Sequence, residues 1–249
     1  MYSVNTMTLT ASVGAPINLA DVELVKDTYE SMGLASAPSP HHITCRRTTD
    51  GSVRKGSEVT KMNGHKRVYR KRPFDNQVTV VFMTGAGTFV NMKVFRTGKV
   101  QMTGARSEES ARECVARLML LLGMPETPVD VRVHLMNAVH DHGSPINRED
   151  LYRAVRERHG VVVSFQPEIH PSVKIGYFYN PSGSGKCQAS SPCEGKETDC
   201  CKKVTIMVFH TGKVIMTGAT KHAQLDEAFG FVASVIRSLE SSAQASARP

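Results

Sequence analysis

Residues 94–105 read VFRTGKVQMTGA, and residues 208–219 read VFHTGKVIMTGA. The second copy begins 114 residues after the first, and a match of this fidelity indicates two similar structural units in one molecule. We therefore predict a pseudo-symmetric protein whose first repeat covers residues 1–124 and whose second repeat covers residues 125–249.

Each copy has the pattern of a β-hairpin followed by a helix. The first strand covers residues 88–96, residues 97–98 form the turn, and the second strand returns from residue 99. Gly98 and Gly212 suit the positive φ of a tight turn. Apolar residues then recur at spacings of three and four, which is typical of a helix with one buried stripe. The stripes are Ala111, Cys114, Val115, Leu118, Leu121 and Leu122 in the first copy, and Leu225, Ala228, Phe229, Val232, Val235 and Ile236 in the second.

Side chains alternate between the two faces of a strand, so each hairpin has two chemically distinct faces. The apolar face belongs under the helix: Met92, Val94, Val100 and Met102, with Ile206, Val208, Val214 and Met216. The opposite face is mixed: Lys93, Phe95, Lys99, Gln101 and Thr103, with Met207, Phe209, Lys213, Ile215 and Thr217. We interpret the mixed face as a binding surface; a second buried layer or a dimer interface is the alternative.

Upstream of the hairpins both repeats offer similar elements. We predict strands at residues 4–13 and 131–139, each followed by a helix that starts after Pro-Ile-Asn. These helices cover residues 18–29 and about 147–159, with Asn18 as N-cap of the first and Gly160 ending the second. Further strands are predicted at residues 77–83, 161–164 and 173–179.

Composition narrows the class of partner. The net charge of +8 and the pI of about 9.3 favour a polyanion. We find no apolar stretch long enough to span a bilayer and no N-terminal apolar run, so we expect an intracellular protein without a membrane partner. In that compartment the six cysteines would stay reduced.

The duplicated hairpin resembles the TATA-box-binding protein family, whose core has two repeats, each with "IF-x-SGK-x-x-x-TGAK" before a long helix. Residues 164–171, SFQPEIHP, are also similar to the family's "SYEPELFPG" stirrup. The resemblance implies an α+β fold: a pseudo-twofold saddle of two repeats, with a curved antiparallel ten-stranded sheet and helices on its convex side. The divergence of both repeats suggests a source such as a large DNA virus or a protist.

In this family the concave face binds the DNA minor groove, and phenylalanines wedge between base steps and kink the duplex. The resemblance thus implies a transcription initiation factor that is not an enzyme. Phe95 and Phe209 match one wedge in each repeat, and His170 occupies the other wedge position of repeat two. The corresponding position of repeat one falls on Val78 by ungapped count, with Phe74 as a displaced substitute. Thr103 and Thr217 match groove-facing threonines, and Lys99 and Lys213 are placed to meet phosphates.

Several positions depart from the family pattern. Lys93 and Gln101 replace aliphatic residues, whereas Met207 and Ile215 keep an apolar character. Gln101 can accept a hydrogen bond from the amino group of guanine, which predicts a sequence preference relaxed from TATA; contact of Gln101 and Lys93 with phosphate is the alternative. The paired asparagines of the family fall on Thr6 and Leu135, with Asn5 and Asn137 nearby. We take Thr6, Thr8 and Asn137 as candidate DNA contacts.

The resemblance also implies partners. Glu168 and Ile169 lie in the stirrup that meets TFIIB, and we expect promoter DNA, TFIIB-like and other initiation factors, and the RNA polymerase machinery as partners, in a host nucleus or a viral factory. A catalytic protein, such as the DNA glycosylases that carry a similar unit, would need a further helical domain. An interaction platform or repressor that does not bend DNA is the main alternative. Whether the DNA-free protein forms a homodimer through its open face stays open.

Two segments fall outside the family pattern. Residues from about 35 to 72 read as a loop or hairpin with a basic run, which either extends the DNA footprint or is merely solvated. Residues from about 180 to 203 carry Cys187, Cys193, Cys200 and Cys201. No cofactor is required for the expected function. These thiols either bind zinc, stay reduced or form disulfides, and their spacing fits no common zinc motif.

Overall fold

The computed structural model describes residues 1–44, 58–63, 66–70, 76–189, 193 and 201–246, with the side chains of 44, 58–63, 66–70 and 244–246 excepted. Contacts divide the chain into two compact units. The first unit is Thr8–Arg132, and the second combines Met1–Met7 with Val133–Pro249. The division between repeats at residues 124 and 125 stays a prediction.

The first unit contains four whole strands of the main sheet and the second half of β1, in the order β2-β5-β6-β7-β1; the first half of β1 belongs to the second unit. Its strands are β1 Ser3–Ser12, β2 Ser39–Thr44, β5 Gln77–Met83, β6 Phe89–Phe95 and β7 Lys99–Ala105, and its helices are α1 Leu19–Glu23, α2 Val25–Ser31 and α3 Glu108–Leu121. The β2–β5, β5–β6 and β6–β7 pairs are antiparallel. A separate hairpin pairs β3 Glu58–Asn63 with β4 Lys66–Arg70.

The second unit has the equivalent strands, written from the other end as β8-β12-β11-β10-β9, so that β8 is equivalent to β1 and β9 to β2. Each neighbouring pair is antiparallel. Its strands are β8 Val131–Asp141, β9 Val162–Ser164, β10 Ser172–Tyr179, β11 Lys202–Phe209 and β12 Lys213–Ala219. Its helices are α4 Arg148–Ala154, which continues as a π-helical turn at Val155–His159, and α5 His222–Ser246. In both units helices cover one face of the strands, so the predicted α+β class with ten antiparallel strands is confirmed.

The hairpin turns of the two units are held by the same backbone contacts. Gly98 and Gly212 have φ of +80° and +89°, and each lies directly against the carbonyl oxygen of the loop before a helix, at Ala15 and Ser144. A side chain at either glycine would overlap that oxygen. Two residues after Ala15, Ile17 N–H donates to Arg96 O at 3.0 Å. Two residues after Ser144, Ile146 N–H donates to His210 O at 2.9 Å.

The helices begin as the sequence predicts. The Asn18 side chain accepts from Ala20 N–H at 3.2 Å, and the Asn147 side chain accepts from Glu149 N–H at 3.1 Å, so both Pro-Ile-Asn motifs end in an N-cap. Gly160 adopts φ of +61° and terminates the second helix. Among the described residues, no helix is long and apolar enough to cross a membrane.

Three predictions of local structure need correction. The helix predicted for residues 18–29 is divided at Leu24 into α1 and α2. The segment from about 35 to 72 is not all insertion, because β2 lies within it and pairs with β5 as an edge strand. Two residues assigned to the buried stripes, Leu122 and Phe229, are instead partly exposed, and Phe229 packs edge-on against His140, with ring centroids 4.9 Å apart.

Candidate nucleic-acid interface

The two faces of each hairpin differ in burial as the alternation predicts. The eight apolar residues assigned to the helix side are fully buried: Met92, Val94, Val100, Met102, Ile206, Val208, Val214 and Met216. The ten residues assigned to the opposite side all keep solvent exposure: Lys93, Phe95, Lys99, Gln101, Thr103, Met207, Phe209, Lys213, Ile215 and Thr217. We call the side away from the helices the open face of each unit.

In the first unit, the middle of the open face is polar. Strand register places Thr79 opposite Lys93 and Lys93 opposite Gln101, so the three side chains form one cross-strand row. The next row places Asn91 opposite Thr103. Side chains directly opposite one another lie close enough to act together on a ligand. We call the row Thr79–Lys93–Gln101 the polar row.

In the second unit, the corresponding row is mostly apolar. Lys174 lies opposite Met207, Met207 opposite Ile215, and Ile215 opposite Val139. We call this row, Lys174–Met207–Ile215–Val139, the apolar row. The sequence analysis missed Lys174, although the buried residues on either side of it in β10, Val173 and Ile175, place it on the open face.

Phe209 has an aromatic neighbour at the end of the open face. Its ring centroid lies 6.1 Å from that of His170. Ser172 N–H donates to Nδ1 of His170 at 3.3 Å, and the Ser172 hydroxyl, which is 1% exposed, lies 2.8 Å from the same nitrogen. Nδ1 of His170 therefore accepts the backbone N–H of Ser172, and this contact orients the ring. The structure thus brings together the two wedge candidates of the second repeat.

The wedge candidates of the first repeat are not placed together in this way. Phe95 is partly exposed and lies opposite Gln77. Val78 is only 3% exposed and lies opposite buried Val94, so it faces the helices and its assignment as a DNA contact is wrong. The ungapped count from Phe95 does not follow the strand register, and a shift by an odd number of residues in a strand reverses the face. Phe74 lies outside the described residues.

Three further candidate DNA contacts, Thr6, Thr8 and Asn137, lie on β1 and β8. The Thr217 hydroxyl donates to Asn137 Oδ1 at 2.5 Å, and both residues are partly exposed. Asn18 and Asn147, the two N-caps, are 129 residues apart, and the same offset aligns Asn137 with Thr8. Thr8 and Thr6 are both partly exposed on β1, and Leu135 is partly exposed on β8. Asn137, not Leu135, is thus the residue whose side-chain amide contacts Thr217.

The stirrup of the second repeat is a compact turn with an exposed tip. Ile169 is 78% exposed, Glu168 is exposed, and Ile169 N–H and His170 N–H both donate to Gln166 O, at 3.0 and 2.9 Å. The Arg148 guanidinium lies 5.2 Å from the ring centroid of Phe165 and donates to Pro171 O, which fixes the base of the turn. An exposed aliphatic side chain beside a carboxylate at such a tip can contact another protein.

Lysines lie on both open faces, and exposed Asp141 of β8 lies directly opposite one of them, Lys213. Lys99 and Lys213 are exposed just after the two turns, and Lys93 and Lys174 are partly exposed in the two cross-strand rows. Lysines placed around apolar and hydroxyl side chains form a surface that attracts a polyanion while contacting its uncharged parts.

One group of side chains has the chemistry of a metal site. The Sγ atoms of Cys187, Cys193 and Cys201 lie within 4.8 Å of one another. Cys200, the fourth cysteine of the predicted cluster, lies outside the described residues. The cluster lies in the second unit between β10 and β11, separate from the open-face residues named above.

Comparison with known proteins identifies the family. The family described as "Transcription factor TFIID (or TATA-binding protein, TBP)" matches residues 63–123 and 133–239. A "TATA box-binding protein-like 2" of Takifugu rubripes is 29% identical over 147 residues, covering 58% of this chain and 38% of that protein. A "TATA-box-binding protein-like" protein of Acanthamoeba polyphaga mimivirus is 24% identical over 195 residues, covering 67% of this chain and 50% of its own length.

Plant and archaeal proteins extend the comparison. "TATA-box-binding protein 1" of Triticum aestivum is 29% identical over 154 residues, covering 61% of this chain and 55% of that protein. The chain thus spans about half the length of the curated relatives it matches. The solved structure of Methanococcus jannaschii TBP superposes with a TM-score of 0.52 and 16% identity, covering 96% of this chain and 98% of the other, which shows the shared fold.

Proposed function

The chain belongs to the TATA-binding protein family, and we propose that it is a general transcription initiation factor that binds promoter DNA in the minor groove and bends it. The observation that carries the proposal is the exposure of Phe95 and Phe209 on the open faces, directly beside strands whose other side is fully buried under helices. Phenylalanine is a strongly apolar side chain, and its exposure in both copies of a duplicated hairpin points to a ligand with flat apolar surfaces.

The side chains around the two phenylalanines suit the insertion of a ring between base pairs. Unstacking a base step costs about a few kcal/mol, and this cost is offset because the bent duplex contacts more protein surface. In the second unit the ring of His170, oriented by Ser172, provides a second flat group beside Phe209. Lys99, Lys213, Lys93 and Lys174 would neutralise phosphates along the groove and make the affinity depend on salt.

The two rows favour an unequal preference for base pairs. The apolar row suits A·T pairs, because the exocyclic amino group of guanine would lose its hydrogen bonds against Met207 and Ile215. In the polar row, Gln101 can accept a hydrogen bond from that amino group. We therefore propose a preference relaxed from TATA on the side of the site that contacts the first unit. Thr103, Thr217 and Asn137 would meet base edges, with Thr8 and Thr6 as the candidates on β1.

Other initiation factors would bind away from DNA. The exposed stirrup residues Glu168 and Ile169 are the proposed contact for a TFIIB-like factor, which would in turn bring in the RNA polymerase machinery. The site of action would be the host nucleus or a viral factory, and no catalytic step is part of the proposal. The second candidate function is an interaction platform that does not bend DNA; the loss of one phenylalanine wedge to His170 favours it.

A measurement of DNA bending tests the proposal. We expect end-to-end energy transfer on a doubly labelled promoter duplex to increase when the protein binds. The variant with both Phe95→Ala and Phe209→Ala should lose the bend and at least about 100-fold in affinity, near 2.7 kcal/mol. Phe229→Ala is the matched control, because Phe229 is a partly exposed phenylalanine on α5, away from the open face.

The outcomes separate the two candidate functions. Binding without a change in energy transfer would support the platform and reject the bending factor. Unchanged affinity and bending in the double variant would reject the proposed role of the open faces. A loss of the same size in Phe229→Ala would show that the effect comes from the fold, and would also count against the proposal.

A further inference from the structure

We propose that Cys187, Cys193 and Cys201 bind one zinc ion, which ties the segment between β10 and β11 to the ends of these two strands. The Sγ atom of Cys201 lies 3.4 Å from that of Cys193 and 3.6 Å from that of Cys187. These separations exceed the bond of about 2.05 Å in a disulfide. Sulfurs about 2.3 Å from a tetrahedral zinc ion lie near 3.8 Å from one another, so the three thiols are arranged as three corners of such a site.

A network around a buried amide positions Cys187. The Asn180 side chain is 3% exposed, and its Nδ2 donates to Phe178 O at 3.0 Å and to Lys186 O at 2.7 Å. Its Oδ1 accepts from the Ser182 hydroxyl at 2.6 Å. These bonds fold residues 180–186 back on the end of β10, and Phe178 N–H donates to Gly185 O at 3.0 Å. Cys187 therefore begins the return path at a defined place.

Cys201 provides the other fixed point. It is 3% exposed and directly precedes β11, whose first residue, Lys202, lies opposite Tyr179 at the end of β10. The β10–β11 ladder and the Asn180 network thus hold the two ends of the segment. Cys193 lies within the segment, and its Sγ atom is close to those of Cys187 and Cys201. A site whose ligands are placed by the fold loses less conformational entropy on binding the metal.

The chemistry of the ligands selects the metal. Thiolates are soft ligands that favour zinc over magnesium or calcium, and three thiolates on Zn²⁺ leave one negative charge. The three described thiolates leave one corner of the tetrahedron for a further thiolate or a water molecule, and the two cases differ in the number of thiolates bound.

The test is the metal content of the full chain. Protein produced with zinc and dialysed should retain about one zinc per chain by mass spectrometry of the metal. Cys201→Ala should lower this to below about a fifth, and Cys187→Ala should do the same. Cys114→Ala is the matched control, since Cys114 is a fully buried cysteine on α3 and far from the cluster in sequence. It should keep its zinc.

A second measurement keeps the test independent of folding. Cobalt added to the chelated wild-type chain should give a thiolate-to-cobalt charge-transfer band. In Cys200→Ser the intensity of this band should fall by about a quarter if Cys200 is the fourth of four thiolate ligands, and should stay unchanged if the fourth ligand is water. Wild-type protein that holds no zinc and gives no such band would overturn the proposal. So would cluster variants that keep the wild-type zinc content, or an equal loss in Cys114→Ala.

Discussion

The two open faces share their strand pattern and several side chains, but they differ in the middle of their cross-strand rows. Lys93 and Gln101 in the polar row of the first unit correspond to Met207 and Ile215 in the apolar row of the second. The lysine of the second unit has not been lost but lies one strand further out, as Lys174 on β10. The hairpin turns, the buried residues and the N-caps are by contrast nearly identical in the two units.

The difference separates what the fold needs from what the ligand needs. Positions that contact backbone or core are alike in both copies. On the open face, the phenylalanine, the lysine after the turn and the threonine are also alike, whereas the cross-strand rows differ. A·T and T·A pairs look alike in the minor groove, so a protein with two equal halves has no means of choosing a direction on the DNA. Unequal rows supply one, and the predictions below ask how far the two units are equivalent.

The largest effect is expected where the units are most alike. Gly98→Ala and Gly212→Ala would each place a methyl group on the carbonyl oxygen of Ala15 or Ser144, at a φ that disfavours side chains. We expect each to lower the free energy of unfolding by about 3 kcal/mol or more, measured by denaturant titration.

Two other glycines provide the controls. Gly14 and Gly143 have φ of +78° and +81°, but a methyl group there would meet nothing within 4 Å. Alanine at either should cost only the backbone term of about 1 kcal/mol. Equal losses at Gly98 and Gly14 would show that the contact with the Ala15 carbonyl contributes nothing.

Local periodicity was sufficient to predict the elements that the two copies share. Strand β5 lies at the predicted residues, and alternation in the hairpins separated buried from exposed residues correctly. Strand β2 was missed because it is an edge strand that pairs with β5, more than 30 residues away in sequence, and its sequence contains Pro40. Non-local pairing of this kind leaves no local signal.

A medium effect is expected from exchanging the middle residues of the two rows. Gln101→Ile gives the polar row the apolar side chain of Ile215, and should raise discrimination against G·C pairs on that side of the site by about 1–3 kcal/mol. Ile215→Gln should relax it on the other side. Binding across a library of promoter variants measures both. An unchanged base preference in the two variants would mean that Gln101 contacts only phosphate.

The site was less predictable than the fold because it depends on register. Val78 was placed on the wrong face by a count that did not follow the strand register, and Asn137 was identified only as a neighbour of the aligned position. The repeats align at an offset of 114 residues in their hairpins and of 129 at their N-caps, because the segments between them differ in length. A single ungapped alignment cannot satisfy both offsets.

A smaller effect is expected from the displaced lysine. Lys93→Met and Lys174→Thr each copy the residue at the corresponding position of the other row, and each should reduce the slope of log affinity against log salt by about 0.9 if the lysine neutralises one phosphate. Lys26→Met is the control, because Lys26 is exposed on helix α2. If only one of the two open-face variants changes the slope, the lysines do not play equivalent parts.

The smallest effect concerns a cluster that one helix has and the other lacks. The Tyr2 hydroxyl donates to Asp226 at 2.7 Å, and its ring packs edge-on against Phe229; the corresponding residues of α3 are Arg112 and Val115.

Burial, followed by the bond to Asp226, raises the pKa of Tyr2 from 10.0 to about 12. The folded state therefore holds this proton more tightly, so the contribution is complete below pH 10 and is lost as the pH rises towards 12. We expect less than about 1 kcal/mol, because the ring stays partly exposed. Unfolding titrations between these pH values should show a steeper loss of stability for the wild-type chain than for Tyr2→Phe, and parallel curves would mean that the hydroxyl titrates alike in the folded and unfolded chains.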